Sequence, residues 1–131
     1  MKYVRSTLAA VTFFALGACS ETCTNRGKQP LPSVDGGREV ALFSRSCGAT
    51  TGYSTQISIV KAGEMAFGAG NVFRADDNGG AALATTQGGP WAEVRWLGEA
   101  ELLVRYDSKS RVFQNAGEVD GVRITYEAVT R

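Results

Sequence analysis

Between residues 92 and 128 apolar side chains recur at every second position in successive runs. Only an extended strand puts such a series on one face. Ala92, Val94 and Trp96 share one side of the first run, and Glu93 and Arg95 share the other. Gly98 marks a tight connection, after which Ala100, Leu102, Val104 and Tyr106 form the next apolar face. Asp107 to Ser110 reads as a polar turn before Val112 and Phe113. Gly117 to Gly121 turns again into Val122, Ile124, Tyr126 and Ala128, with Arg123, Thr125 and Glu127 facing out. A period of two broken by closely spaced turns predicts an antiparallel meander.

The preceding segment extends the pattern. Asp35-Gly36-Gly37 is a turn signal. Arg38 to Ser44 then contains Val40, Ala41, Leu42 and Phe43, a near-continuous apolar run suited to a strand buried on both faces. Ser54 to Val60 alternates Thr55, Ile57 and Ile59 against Gln56 and Ser58, and Asn71 to Arg74 is a short candidate strand. Helical periodicity is nowhere sustained after residue 18, although Ala81 to Thr86 has room for one turn. The expectation is an all-β domain over residues 38–131, folded as a small sandwich or a partly closed barrel. Ser20 to Pro32 is polar, contains Pro30 and Pro32, and reads as a tether within residues 19–37.

Residues 1–18 are of a different kind. Lys2 and Arg5 form a basic start, Leu8 to Ala18 is uncharged and mostly apolar, and Leu16-Gly17-Ala18-Cys19 closes the run. A mostly apolar run of eleven residues is too short to cross a bilayer core as a helix, which takes roughly twenty. A basic start, a short apolar helix and small residues before a cut are the marks of a secretion signal. The segment resembles the lipobox of bacterial lipoproteins, which implies cleavage before Cys19 and acylation of its thiol. By the same resemblance, Ser20 after the acylated cysteine favours the outer membrane, facing the periplasm, in a Gram-negative cell.

Removing residues 1–18 leaves 113 of the 131 residues, enough for one domain. Two of the 14 basic residues leave with the signal, so 12 remain against 13 acidic ones, with both signs scattered. No basic stripe tracks phosphates, so nucleic acid is not an expected partner. No polybasic patch adds attraction to a membrane, so the lipid on Cys19 is the expected anchor. Export places Cys23 and Cys47 in an oxidising compartment, and with Cys19 acylated they form the single available disulfide. Cys23 is four residues from Cys19, and four extended residues span at most about 14 Å. The domain is therefore expected close to the membrane surface.

The segment Cys47-Gly48-Ala49-Thr50-Thr51-Gly52-Tyr53-Ser54-Thr55 concentrates glycines and hydroxyls beside one aromatic ring. Such hydroxyls bond nearby backbone groups or a ligand. Thr50, Thr51, Tyr53 and Ser54 are candidate recognition residues. Trp91 joins them, because it falls in the register opposite to Trp96, directly after Gly88-Gly89-Pro90. Trp96 follows the apolar register and is expected in the core. The stretch resembles a family of small bacterial proteins of uncharacterised activity that carry a Cys-Gly-Ala-Thr-Thr-Gly, aromatic, Ser-Thr motif. Cys23, the turn and strand from Leu31 to Phe43, Gly70-Asn71-Val72-Phe73 and Val94-Arg95-Trp96 fit that pattern as well. The resemblance implies a shared domain and no particular activity.

With no histidine in the chain, Ser-His-Asp, Cys-His and His-ligated zinc sites are excluded. Glu93, Glu99 and Glu101 lie near one another in sequence, as paired catalytic carboxylates would, yet Glu93 alternates with Arg95 on a face that reads as solvated. Asp76-Asp77-Asn78-Gly79-Gly80 lacks the ligand spacing and closing glutamate of a calcium loop and reads as a turn. No cofactor or metal is expected. The leading expectation is a non-enzymatic envelope lipoprotein that binds another envelope component. The alternatives are an inhibitor or immunity-type protein against a cell-wall-attacking enzyme and a weak cell-wall carbohydrate binder.

Overall fold

A computed structural model describes residues 22–27, 29–48 and 52–131. The signal segment and Cys19 lie outside the described residues. Ten strands and no helix occur among the described residues: β1 (Thr24–Gly27), β2 (Leu31–Pro32), β3 (Arg38–Ser46), β4 (Ser54–Lys61), β5 (Phe73–Asp76), β6 (Ala92–Gly98), β7 (Glu101–Asp107), β8 (Arg111–Asn115), β9 (Glu118–Val119) and β10 (Val122–Val129). The described residues are all-β, as their alternation requires.

The strands form two sheets. The first runs β1-β3-β4-β5-β8, with β2 also paired to β3, and the second runs β6-β7-β10-β9. Val40 pairs with Ile59, Leu42 with Ile57 and Ile57 with Phe73, so the inner face of the first sheet is continuously apolar. Leu102, Val104, Val122 and Ile124 supply the facing layer from the second sheet, and all belong to one buried core with Val40, Ile57, Ile59, Val72, Phe73 and Ala75. Phe73 sits between the layers, its ring centroid 5.3 Å from that of Tyr106 and 6.1 Å from that of Tyr126. The Tyr126 hydroxyl lies 2.7 Å from the Ala116 carbonyl and 3.1 Å from that of Val72, and burial raises its pKa.

Trp96 packs against this core, as its register predicts, and its Nε1–H donates to the Leu31 carbonyl at 3.0 Å. The turn at Asp35 forms as expected: its Oδ1 accepts from the Ser33 hydroxyl at 2.7 Å and from the Gly37 amide at 3.0 Å, while Gly36 takes φ +73°. Asp120 and Gly121 both have positive φ in the β9–β10 hairpin, the conformation favoured in two-residue turns of this hand.

Four local expectations are corrected. Part of the expected tether, Thr24–Gly27 and Leu31–Pro32, pairs antiparallel with β3, because that strand has an open edge to satisfy. The strand expected at Asn71–Arg74 begins at Phe73 instead, since the Asn71 side chain is spent on the β4 backbone, accepting from Ile59 N and donating to Ile59 O, both at 2.9 Å. Residues 81–86 hold no helical turn; Ala84 bridges Pro90 and the segment is drawn into a loop. Finally, β10 runs parallel to β7 within otherwise antiparallel sheets. The reason is that β8 crosses to pair with β5 in the first sheet, so β7 and β10 are not hairpin neighbours.

Cys23 and Cys47 form a disulfide. It closes the end of the β1–β3 ladder, directly beyond the Thr24–Ser46 pair.

Candidate functional site

The two sheets part along one side, between β3 of the first and β6 of the second. Leu31, Val40, Leu42, Ala92 and Val94 form apolar walls there, and Thr85, Thr86, Gln87, Pro90 and Trp91 close the end of a cleft of about 390 Å³. The sequence around it explains its shape. β3 is apolar on both faces, whereas Ser44 and Thr55 replace aliphatic residues at the end where the 84–90 loop crosses. The Ser44 hydroxyl donates to the Gln87 carbonyl at 2.8 Å, and the Thr55 hydroxyl donates to the Pro90 carbonyl at 2.5 Å. Within the loop, Thr85 N donates to Gly89 O at 2.8 Å and Gly88 N to Thr85 O at 2.9 Å. The loop that forms one wall is thus held by buried hydroxyls and by its own turn.

Two glycines make this closeness attainable. A β-carbon on Gly88 would lie 2.5 Å from Cγ of Tyr53, and one on Gly89 would collide with the Thr55 hydroxyl. Gly88 also has φ +107°. The Tyr53 ring therefore lies directly on the Gly88 backbone and remains 41% exposed at the outer side of the loop.

Of the five candidate recognition residues, Trp91 lines the cleft. Its ring is half-buried under the Arg131 guanidinium at 4.3 Å, with Arg105 at 6.0 Å. Ser54 is turned to its own sheet: its hydroxyl accepts from Gln56 Nε2 at 2.8 Å and approaches the Arg45 carbonyl at 3.4 Å. Thr50 and Thr51 lie outside the described residues, as does Ala49 between them and Gly48. The residues that sequence reasoning missed are Thr85, Thr86 and Gln87. Their only sequence signal is the Gly88-Gly89-Pro90 turn that follows, because the hydroxyls holding them lie on strands some thirty to forty positions earlier.

The electrostatics are muted. Glu93, the carboxylate at the cleft, pairs with Arg105 at 2.6 Å, and Arg105 also reaches Glu127 at 3.3 Å. This is a cross-strand row in which Glu93, Arg105 and Glu127 lie in register, and the Glu93 bond is the main cause that raises the Arg105 pKa. Glu101 pairs with Arg123 at 3.6 Å. Asp76 accepts from the Asn78 amide and forms a forked ion pair with Arg111 at 3.2 and 2.5 Å, which holds its carboxyl below the ordinary value. Among the described residues no group of three or more cysteines and carboxylates is placed to hold a metal ion. The cleft can therefore bind through an apolar floor, neutral hydroxyl and amide groups and one indole.

These features define a disulfide-stapled two-sheet β domain with a cleft along its open side. No protein-family model, curated protein or solved structure matches the chain.

Proposed function

We propose that this chain is a lipid-anchored protein of the bacterial envelope whose β domain is a non-enzymatic binding or accessory module. The observation that carries this reading is the cleft between β3 and β6, apolar at its base and lined at one end by neutral hydrogen-bonding groups and Trp91. Such a lining suits recognition of a partly apolar surface with a few fixed polar groups. The lipobox-like segment ending at Cys19 supplies the location, and the Cys23–Cys47 bridge agrees with an oxidising compartment.

Intact mass of the chain purified from membranes, with and without reduction, tests the location. An acylated Cys19 and a two-proton deficit across the bridge are expected. Crosslinking in intact cells through a photoreactive residue at Thr86 tests the cleft. One envelope component recovered with the parent chain and lost with Trp91→Ala is the expected result. Equal recovery from both chains would sink the cleft as the binding surface. Inhibition of a cell-wall lytic enzyme by the purified chain would instead move it to the inhibitor class.

A further inference from the structure

We propose that the β4–β5 loop, which covers the outer face of the first sheet, rests on the lipid bilayer, with Met65 and Phe67 entering its headgroup region. The inference rests on the acyl anchor at Cys19. Met65 and Phe67 are 71% and 79% exposed, on a single loop between β4 and β5. That loop is firmly fastened: Ala62 N donates to Gly37 O at 3.2 Å, Glu64 N to Lys61 O at 3.0 Å, and Gly70 N to Gln56 Oε1 at 2.6 Å. Asn25 Nδ2 also donates to Gly68 O at 2.9 Å. Two large apolar side chains are thus presented to the outside by a built scaffold.

Proximity to the anchor identifies the occupant. Beneath the loop lies a hollow of about 590 Å³ lined by Ala41 and Phe43 from the outer face of β3, by Met65 and Phe67, and by Cys23 itself. Asn25, which ties down Gly68 beside Phe67, is two residues along β1 from Cys23. Only four residues separate Cys23 from Cys19, a reach of at most about 14 Å. An acyl chain inserted at Cys19 therefore keeps this patch, which Cys23 itself lines, beside the membrane. The remaining rim is not basic: Glu39 and Glu64 border the hollow, and the guanidinium of Arg45 is bonded to Asn25 Oδ1 at 2.7 Å. Apolar insertion, not attraction to anionic headgroups, is the matching chemistry, and a second contact of this kind fixes the orientation of a lipid-anchored domain.

Met65 gives a site-specific readout, because the other methionine of the chain is Met1, within the signal. The full chain carrying Leu97→Met, a reference methionine exposed on the second sheet, is purified from membranes and placed in phosphatidylethanolamine–phosphatidylglycerol vesicles. Sulfoxide formation by hydrogen peroxide is followed at both positions by mass spectrometry, which also reports the lipid on Cys19. Oxidation of Met65 about tenfold slower than at the reference position, rising to parity in Phe67→Ser, is expected. Equal rates in an acylated, vesicle-bound chain would overturn the proposal while leaving the anchor intact. A chain without acyl mass would remove the anchor and overturn both readings. Protection that fades when the vesicles are loaded more sparsely would assign the patch to a second copy and likewise overturn bilayer contact.

Discussion

At the residue scale, the fold depends on a few positions where backbone meets backbone. Gly70 is one: a β-carbon there would stand 2.7 Å from Ile57 O and 2.9 Å from Phe73 O, with no flexible side chain to give way. Gly70→Ala is expected to destabilise the domain by about 1–3 kcal/mol, measured by urea unfolding. A neutral result would mean that β4 and the 62–70 segment are not packed this closely. Asp76 provides the pH dependence. Its pKa is lowered from 3.8, first by the Arg111 hydrogen bond, so its contribution is present above that ordinary value and is lost as pH falls through the lowered one. Asp76→Asn should flatten this acid limb, seen as a smaller fall in melting temperature between neutral pH and pH about 3. Charge pairing on the second sheet was partly readable. Alternation with Arg95 puts Glu93 on a solvated face, but its ion-pair partner is Arg105, which only the β6–β7 register reveals.

At the scale of elements, β1 shows how a covalent bond substitutes for apolar area. Its burial is slight, and it is held by one ladder to β3, the Cys23–Cys47 bridge and the Asn25 side-chain bonds to Gly68 O and Arg45. Replacing both cysteines by serine should cost about 3 kcal/mol overall. Hydrogen exchange at Thr24–Gly27 should accelerate well before that of β4, which lies between two partners. Retained protection in β1 would show that its ladder suffices. β3, β4, β6, β7 and β10 were legible because each carries its own alternation or apolar run over seven to nine residues. β1 and β2 were not, since strands of four and two residues are too short to show a periodicity. The 84–90 loop was equally hidden, its shape being set by Ser44 and Thr55 from distant strands.

At the scale of the whole molecule, the two sheets share one core through Phe73, fully buried and in contact with the rings of Tyr106 and Tyr126. Phe73→Ala should cost about 3–5 kcal/mol. Unfolding of the parent chain followed by tryptophan fluorescence, which reports the second sheet through Trp96 and through Trp91 just ahead of β6, should coincide with that followed by far-ultraviolet circular dichroism. Separate transitions would mean that the sheets are independent units.

The sequence by itself determined that the domain after the signal segment is all-β, where most of its strands and turns fall, and which face of each long strand is apolar. These properties are local, because the period of two is built into an extended backbone and the turns need particular residues at particular steps. Only the tertiary structure decided that β8 leaves its neighbours for the first sheet, that β10 returns parallel to β7, and that the sheets part beside Trp91 to form the cleft. Those outcomes depend on how two apolar faces of fixed size close over Phe73, a balance between distant residues that no single segment encodes.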